Sequence, residues 1–297
     1  MSQRQRQFCL VGLGEILWDL LPAGPQLGGA PANFAYHAAA LGGRGAVASC
    51  VGDDDRGREI LERLDGLGVD RAAVALDSEH PTGTVTVEVD ADGRPHYTIH
   101  ENVAWDFIRP DEALWHLAVT ADAVCFGTLA QRSAVSRATI AQFLEHTLAG
   151  CLRIFDINLR QSYYDRAVLE HSLEHADVVK LNDEELPVVS RLLDLPGPAD
   201  EALSALLKNH SLRLVVLTKG AAGSVLISPQ GTSSLPGESV KVVDTVGAGD
   251  AFTAAVALGL LEGASLEAVH RRAARLAAFV CSQSGATPHV PGELRRL

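Results

Sequence analysis

The chain has 297 residues, 47% of them hydrophobic and 21% charged, and a net charge of −12. This excludes a disordered or fibrous chain, and the acidic balance excludes non-specific nucleic-acid binding, which needs clustered Lys and Arg. No run approaches the ~18 apolar residues of a membrane span, so no membrane partner is expected.

In chain order, 8–12 and 45–50 are short apolar runs that read as buried strands, followed by an amphipathic helix at 56–67. Residues 82–100 break the pattern: they alternate with period two around an Asp92-Gly93 turn signal, which predicts a hairpin. Strand 123–126, helix 134–149 and strands 152–157, 177–181 and 212–217 resume the first rhythm. Helices at 248–261 and from 266 to about 282 follow, with Gly263 as stop and Ser265 as N-cap between them. Continuous rather than alternating apolar strands belong to a parallel sheet covered on both faces. The predicted fold is α/β: one domain over 1–297, a doubly wound, mostly parallel sheet flanked by helices, with a small antiparallel β lid. The lid is expected from about 14–30 and 82–106.

The five cysteines (Cys9, Cys50, Cys125, Cys151, Cys281) stand singly with no C-x-x-C pair, and MSQRQRQ precedes the first strand without a long apolar stretch. A reduced, cytoplasmic protein with no signal peptide is the expectation.

Gly12-Leu13-Gly14 follows the first strand like the opening of a dinucleotide fingerprint. Leu17 stands where a third glycine belongs, and 15–19 reads as another strand, against a Rossmann dehydrogenase. No G-x-x-x-x-G-K-[ST] occurs. His171 and His175 have the i, i+4 spacing of helical metal ligands, but no third ligand is evident and a solvated helix face is expected.

Asp244-Thr-Val-Gly-Ala-Gly-Asp250 carries more chemistry. Gly247 and Gly249 let the backbone turn so that several N–H groups converge where a helix begins at Ala248, a ready anion site. Asp250 falls in the first turn, where a carboxylate would repel a bound phosphate unless it had a task. The task that fits is accepting the proton of a hydroxyl that attacks phosphorus, while the amides of Gly247, Ala248 and Gly249 stabilise the transferring charge.

Asp244 to Phe252 resembles the C-terminal signature of the ribokinase (PfkB) family of sugar kinases, and Gly28-Gly-Ala-Pro-Ala-Asn33 resembles its N-terminal signature. The resemblance runs from about residue 8 to residue 292 and implies an ATP-dependent kinase that phosphorylates a sugar primary hydroxyl, with Asp250 as base. It implies that Asn182 and Glu185, in Asn182-Asp-Glu-Glu185, organise Mg²⁺ and phosphates through water. Asp19, Gly28, Gly29 and Asn33 match the sugar pocket, and Pro31 suits the first helical turn beside them. Asp156, Asn158 and Arg160 match the D-x-N-x-R stretch of fructokinase-like members, with Arg160 reaching between sugar and nucleotide phosphate. Lys219 and Gly220 match the nucleotide-site strand end, and the adenine would lie near 274–281. A K⁺ site is matched by Asp244, Val246 and 284–288.

Because Asp156, Asn158 and Arg160, with the Gly14-Glu15 entry, resemble fructokinase-type members, fructose is the first acceptor expected; 2-keto-3-deoxygluconate, ribose, or a non-catalytic sugar- or nucleotide-binding regulator on the same fold are the alternatives. Trp105 either touches the sugar and lid or packs in the core. The resemblance also implies a homodimer clasped through the lid, with a monomer as the alternative.

Overall fold

The computed structural model describes residues 7–21, 24–89 and 95–295. Its first strands are β1 (Cys9–Leu13), β2 (Leu17–Leu21), β3 (Gly24–Gly28), β4 (Arg44–Gly52), β5 (Asp70–Asp77), β6 (Thr84–Val89) and β7 (Pro95–Ile99). Then come β8 (Ala123–Phe126), β9 (Leu152–Asp156), β10 (Val178–Asn182), β11 (Leu214–Thr218), β12 (Ser224–Ser228) and β13 (Gly231–Leu235). The helices are α1 (Ala30–Ala40), α2 (Asp55–Gly66), α3 (Glu112–Thr120), α4 (Ala134–His146), α5 (Arg166–His175), α6 (Glu185–Leu192), α7 (Ala199–Asn209), α8 (Ala248–Leu261) and α9 (Leu266–Cys281).

Nine strands form one sheet in the order β13-β12-β11-β10-β9-β8-β1-β4-β5, parallel from β11 to β5 and antiparallel at the β12 and β13 edge. The apolar runs are continuous because alternate residues serve opposite faces. Val11, Val124, Phe155, Val179 and Val215 pack towards α3, α4, α5 and α7. Their neighbours Leu10, Cys125, Ile154, Val178 and Leu214 pack towards α1, α8 and α9. The sheet is therefore doubly wound as expected. Strands β5, β12 and β13 have no counterpart in the sequence reading: β5 is half-buried and interleaved with Asp and Arg, and β13 is Gly-Thr-Ser-Ser-Leu, so neither has an apolar run.

A second sheet has the order β3-β2-β6-β7. It is two antiparallel hairpins joined by parallel pairing of β2 with β6, Trp18 opposite Thr84. The expected 82–100 hairpin is one of them; its Asp92-Gly93 turn lies outside the described residues. Ser265 caps α9, its hydroxyl accepting from the Ala268 amide at 3.3 Å, and Gly263 has the left-handed φ of 71° that ends α8. His171 and His175 meet edge to face on α5, and among the described residues no third ligand joins them. No described helix is long and apolar enough to cross a membrane.

Strand β1 pairs with β4 on one side and β8 on the other. Chain order reverses there, and at such a switch point the carboxyl ends of parallel strands splay apart to leave a crevice.

Candidate active site

Three loops meet at that crevice: the turn after β1, the end of β9 and the start of α8. Gly247 precedes α8 with φ 78°, and a Cβ there would lie 2.6 Å from the Ala286 carbonyl oxygen, so only glycine fits both the turn and the contact. The first-turn amides have no intrahelical acceptor, and that of Ala248 turns back to Thr245 O at 3.3 Å. Asp244 fastens this loop to the C-terminal turn, accepting from Val246 N at 3.0 Å and from Gly285 N at 3.1 Å. Within 284–288, the Ala286 carbonyl meets His37 Nε2 at 2.9 Å and the Pro288 carbonyl takes the Tyr36 hydroxyl at 2.7 Å.

Asp250 is partly buried in the first turn of α8. Burial and the neighbouring Asp156 push its carboxyl up to about 6, against the opposing pull of Lys180, Asn33 and Arg160. Asn33, from α1, donates Nδ2 to Asp250 Oδ2 at 2.8 Å. Asp156 ends β9 and accepts from Lys180 Nζ at 2.9 Å and from Thr253 Oγ1 at 3.0 Å. Burial opposes the Lys180 charge, but Asp156, Glu185 and Asp250 outweigh it and hold its pKa above the usual lysine value. A Cβ on Gly249 would stand 3.0 Å from Lys180 Nζ, so the ammonium lies directly against the loop. Sequence reasoning does not single out Lys180 or Thr253. The available signal is a lysine inside Val178-Val-Lys-Leu181, since a buried ammonium requires a carboxylate.

Asp19 in β2 does not line the pocket around Asp250; it is partly buried, and burial raises its carboxyl to about 6 against the attraction of Arg160. A Cβ on Gly28 would fall 2.4 Å from Asp19 Oδ2, so the carboxylate rests on that glycine. Gly29 leads into α1, where Pro31 occupies the first turn as expected. Asn158 has a φ of 44° just past β9, and the exposed Arg160 donates Nη1 to Leu159 O at 3.1 Å. Arg160 exerts its field on Glu15, Asp19 and Asp250 alike. Glu15, Asp156, Asn158 and Asp250 line one pocket with Pro31 and Gly127.

Asn182 and Glu185 form a reciprocal cap at the start of α6. Asn182 Oδ1 accepts from Glu184 N at 2.9 Å and Glu185 N at 2.8 Å, while Glu185 Oε2 accepts from Asn182 N at 2.8 Å. Glu185 Oε1 also takes Leu159 N at 2.9 Å, which ties α6 to the stretch carrying Arg160. Each Glu185 carboxylate oxygen keeps a second lone pair for a hydrated Mg²⁺, whereas both lone pairs of Asn182 Oδ1 are taken by the two amides, leaving its Nδ2 as the free group. Lys219 and Gly220 follow β11 on the same sheet edge, where Thr218 pairs with Asn182; they do not line the pocket around Asp250. Trp105 belongs to the core: it is 0% exposed, packs under Gly83 and carries the Arg132 guanidinium 3.9 Å over its ring.

A glycine-led helix start with a carboxylate of raised pKa in its first turn, at the switch point of a doubly wound sheet, has the layout of a phosphotransferase site. The family model described as pfkB family carbohydrate kinase matches residues 25–292, and the chain belongs to that family. It is 33% identical over 260 residues to a fructokinase of Escherichia coli, covering 84% of this chain and 83% of that one. Among solved structures, the sugar kinase PH1459 of Pyrococcus horikoshii in complex with ATP superposes with a TM-score of 0.78 at 27% identity, covering 94% of each chain. Fructokinase from Vibrio cholerae with fructose, ADP and a calcium ion bound superposes with a TM-score of 0.79 at 26% identity, covering 96% of each chain.

Proposed function

We propose that the protein is an ATP-dependent kinase that phosphorylates a primary hydroxyl of fructose. The observation that carries this is Asp250: a carboxylate made more basic by its surroundings, held by Asn33, in the first turn of a helix that begins at the glycine loop. In this reading the sugar lies between Asp19, Gly28, Gly29, Asn33 and Asn158, and its hydroxyl attacks the γ-phosphorus in line. Asp250 takes the hydroxyl proton, and the amides of Gly247, Ala248 and Gly249 hold the phosphoryl oxygens. Arg160, its planar fork suited to phosphate, bridges sugar and nucleotide. Lys219 and Gly220 border the nucleotide.

Mg²⁺ would be held through water by Asn182 and Glu185, and when bound it supplies charge neutralisation on the phosphates. Carbonyl oxygens of Asp244 and Val246 would hold K⁺. The small sheet would act as a lid that excludes water, and Tyr97 on its edge strand β7, 57% exposed, offers an apolar contact for a homodimer through two lids. The five free thiols suit a reducing compartment such as the cytoplasm.

The test is a coupled ADP-release assay with Mg-ATP and a panel of fructose, 2-keto-3-deoxygluconate and ribose, run beside Asp250→Asn. Fructose turnover that falls about a hundredfold or more in the variant is expected, the scale of lost general-base catalysis. Absence of turnover on every sugar, with ligand binding intact, would instead support a non-catalytic regulator.

A further inference from the structure

Of the three carboxylates that line the pocket, Asp250 has the base role above and Asp156 is engaged by Lys180 and Thr253. The third is Glu15, immediately after β1. It is 3% exposed, and its Oε2 atom has no hydrogen-bond partner. A buried carboxylate oxygen without a donor is costly, and a fold keeps one where a ligand completes it.

Helix capping accounts for only part of this side chain. Gly29, the residue capping α1, offers no side-chain acceptor, and the Ala30 amide in the first turn bonds the Glu15 carboxyl. Oε2 is left over. Burial is the main influence raising this carboxyl, to about 7, with its own amide and Arg160 opposing and Asp250 adding to the rise. The pocket as a whole leaves about 10 Å³ for groups of water size, room for one. On a polyol the group of that size that can donate to a carboxylate oxygen is a hydroxyl.

We propose that Glu15 Oε2 accepts a hydroxyl of the sugar, one other than the hydroxyl phosphorylated, and thereby sets which sugars the pocket admits. This rests on the kinase reading above. Asp250 and Glu15 then divide the sugar between them, one deprotonating the attacking hydroxyl and the other selecting a second.

Glu15→Gln tests it, because glutamine keeps the shape and an oxygen for the Ala30 amide but replaces one acceptor with a donor. The full chain would be assayed on the sugar it turns over fastest and on that sugar's monodeoxyfluoro analogues, whose fluorine cannot donate. With Tm within a few degrees of wild type, Glu15→Gln should lose about 10- to 100-fold in kcat/KM on the parent sugar. One analogue should be discriminated by a similar factor in wild type and no longer discriminated in the variant. Penalties that simply multiply for every analogue would overturn the inference and leave the kinase reading standing. No turnover of any sugar by wild type would overturn both.

Discussion

Lys180 Nζ bonds Asp156 Oδ1 at 2.9 Å and lies against Gly249, so a buried cation stands beneath the loop that carries Asp250. Both partners are almost inaccessible, with side chains 9% and 5% exposed. Removing the ammonium strands Asp156 in the interior and strips Asp250 of a charge that holds its pKa down. Lys180→Met should cost about 3–5 kcal/mol of stability, the scale for one half of a buried pair, read from urea unfolding.

The same substitution makes a kinetic prediction. With Asp250 as the proposed base, activity needs its carboxylate ionised, and its raised pKa of about 6 means that activity should be present above that pH and lost as pH falls through it. The observed midpoint will belong to the interacting group, since Glu15 rises to about 7 and Asp19 to about 6 in the same field. In Lys180→Met the acid limb of kcat/KM should move to higher pH; an unmoved limb would show that the ammonium does not act on Asp250.

Gly28→Ala should separate the sugar from the nucleotide. The added methyl would reach 2.4 Å from Asp19 Oδ2 and must displace that carboxylate. The KM for the sugar is expected to rise tenfold or more, about the value of one charged hydrogen bond, while the KM for ATP stays within about twofold. Equal rises in both would place Asp19 outside the sugar pocket.

Asn182→Ala distinguishes a helix cap from a metal organiser. Loss of the bonds to Glu184 N and Glu185 N should cost about 1 kcal/mol. If Asn182 also arranges the water around Mg²⁺, the half-saturating Mg²⁺ concentration should rise severalfold at saturating ATP. A stability loss with an unchanged Mg²⁺ titration would assign the residue to capping alone.

His270, fully buried on α9, bridges Ser224 Oγ at 2.7 Å and Ser233 Oγ at 2.8 Å, joining the helix to β12 and β13. Burial lowers its pKa from 6.5 to about 4. The unfolded chain therefore takes up the proton first: the histidine's contribution to stability is present above about pH 6.5 and lost as pH falls to about 4. His270→Leu leaves two buried hydroxyls without their partner and should cost about 1–3 kcal/mol at pH 7. It should also lose less stability than wild type between pH 7 and 5 in parallel urea titrations.

Central strands were legible because a strand covered on both faces must be apolar at every position, and β8 runs over the predicted 123–126. The edges were not. Strand β13, Gly-Thr-Ser-Ser-Leu, is held by pairing with β12 rather than by any pattern of its own. Trp105 shows the same limit: an aromatic beside a predicted lid reads equally as lining or as core, and only the packing under Gly83 decides for core.

What the sequence by itself determined is local chemistry: a glycine turn that frees helix amides, an acid in the next turn, and two signatures in family order. These are legible because backbone conformation and helix position depend on residues within a few places of one another. Only the tertiary structure decided how the acids differ. Asp156, Asp250 and Glu15 lie 94 or more residues apart in the chain where Asp156 is concerned, yet line one pocket. Asp156 is neutralised by Lys180, Asp250 is held by Asn33, and Glu15 keeps an unpartnered oxygen. A carboxylate's basicity and availability depend on burial and on charges a few ångströms away, and the parallel sheet draws those neighbours from distant strands.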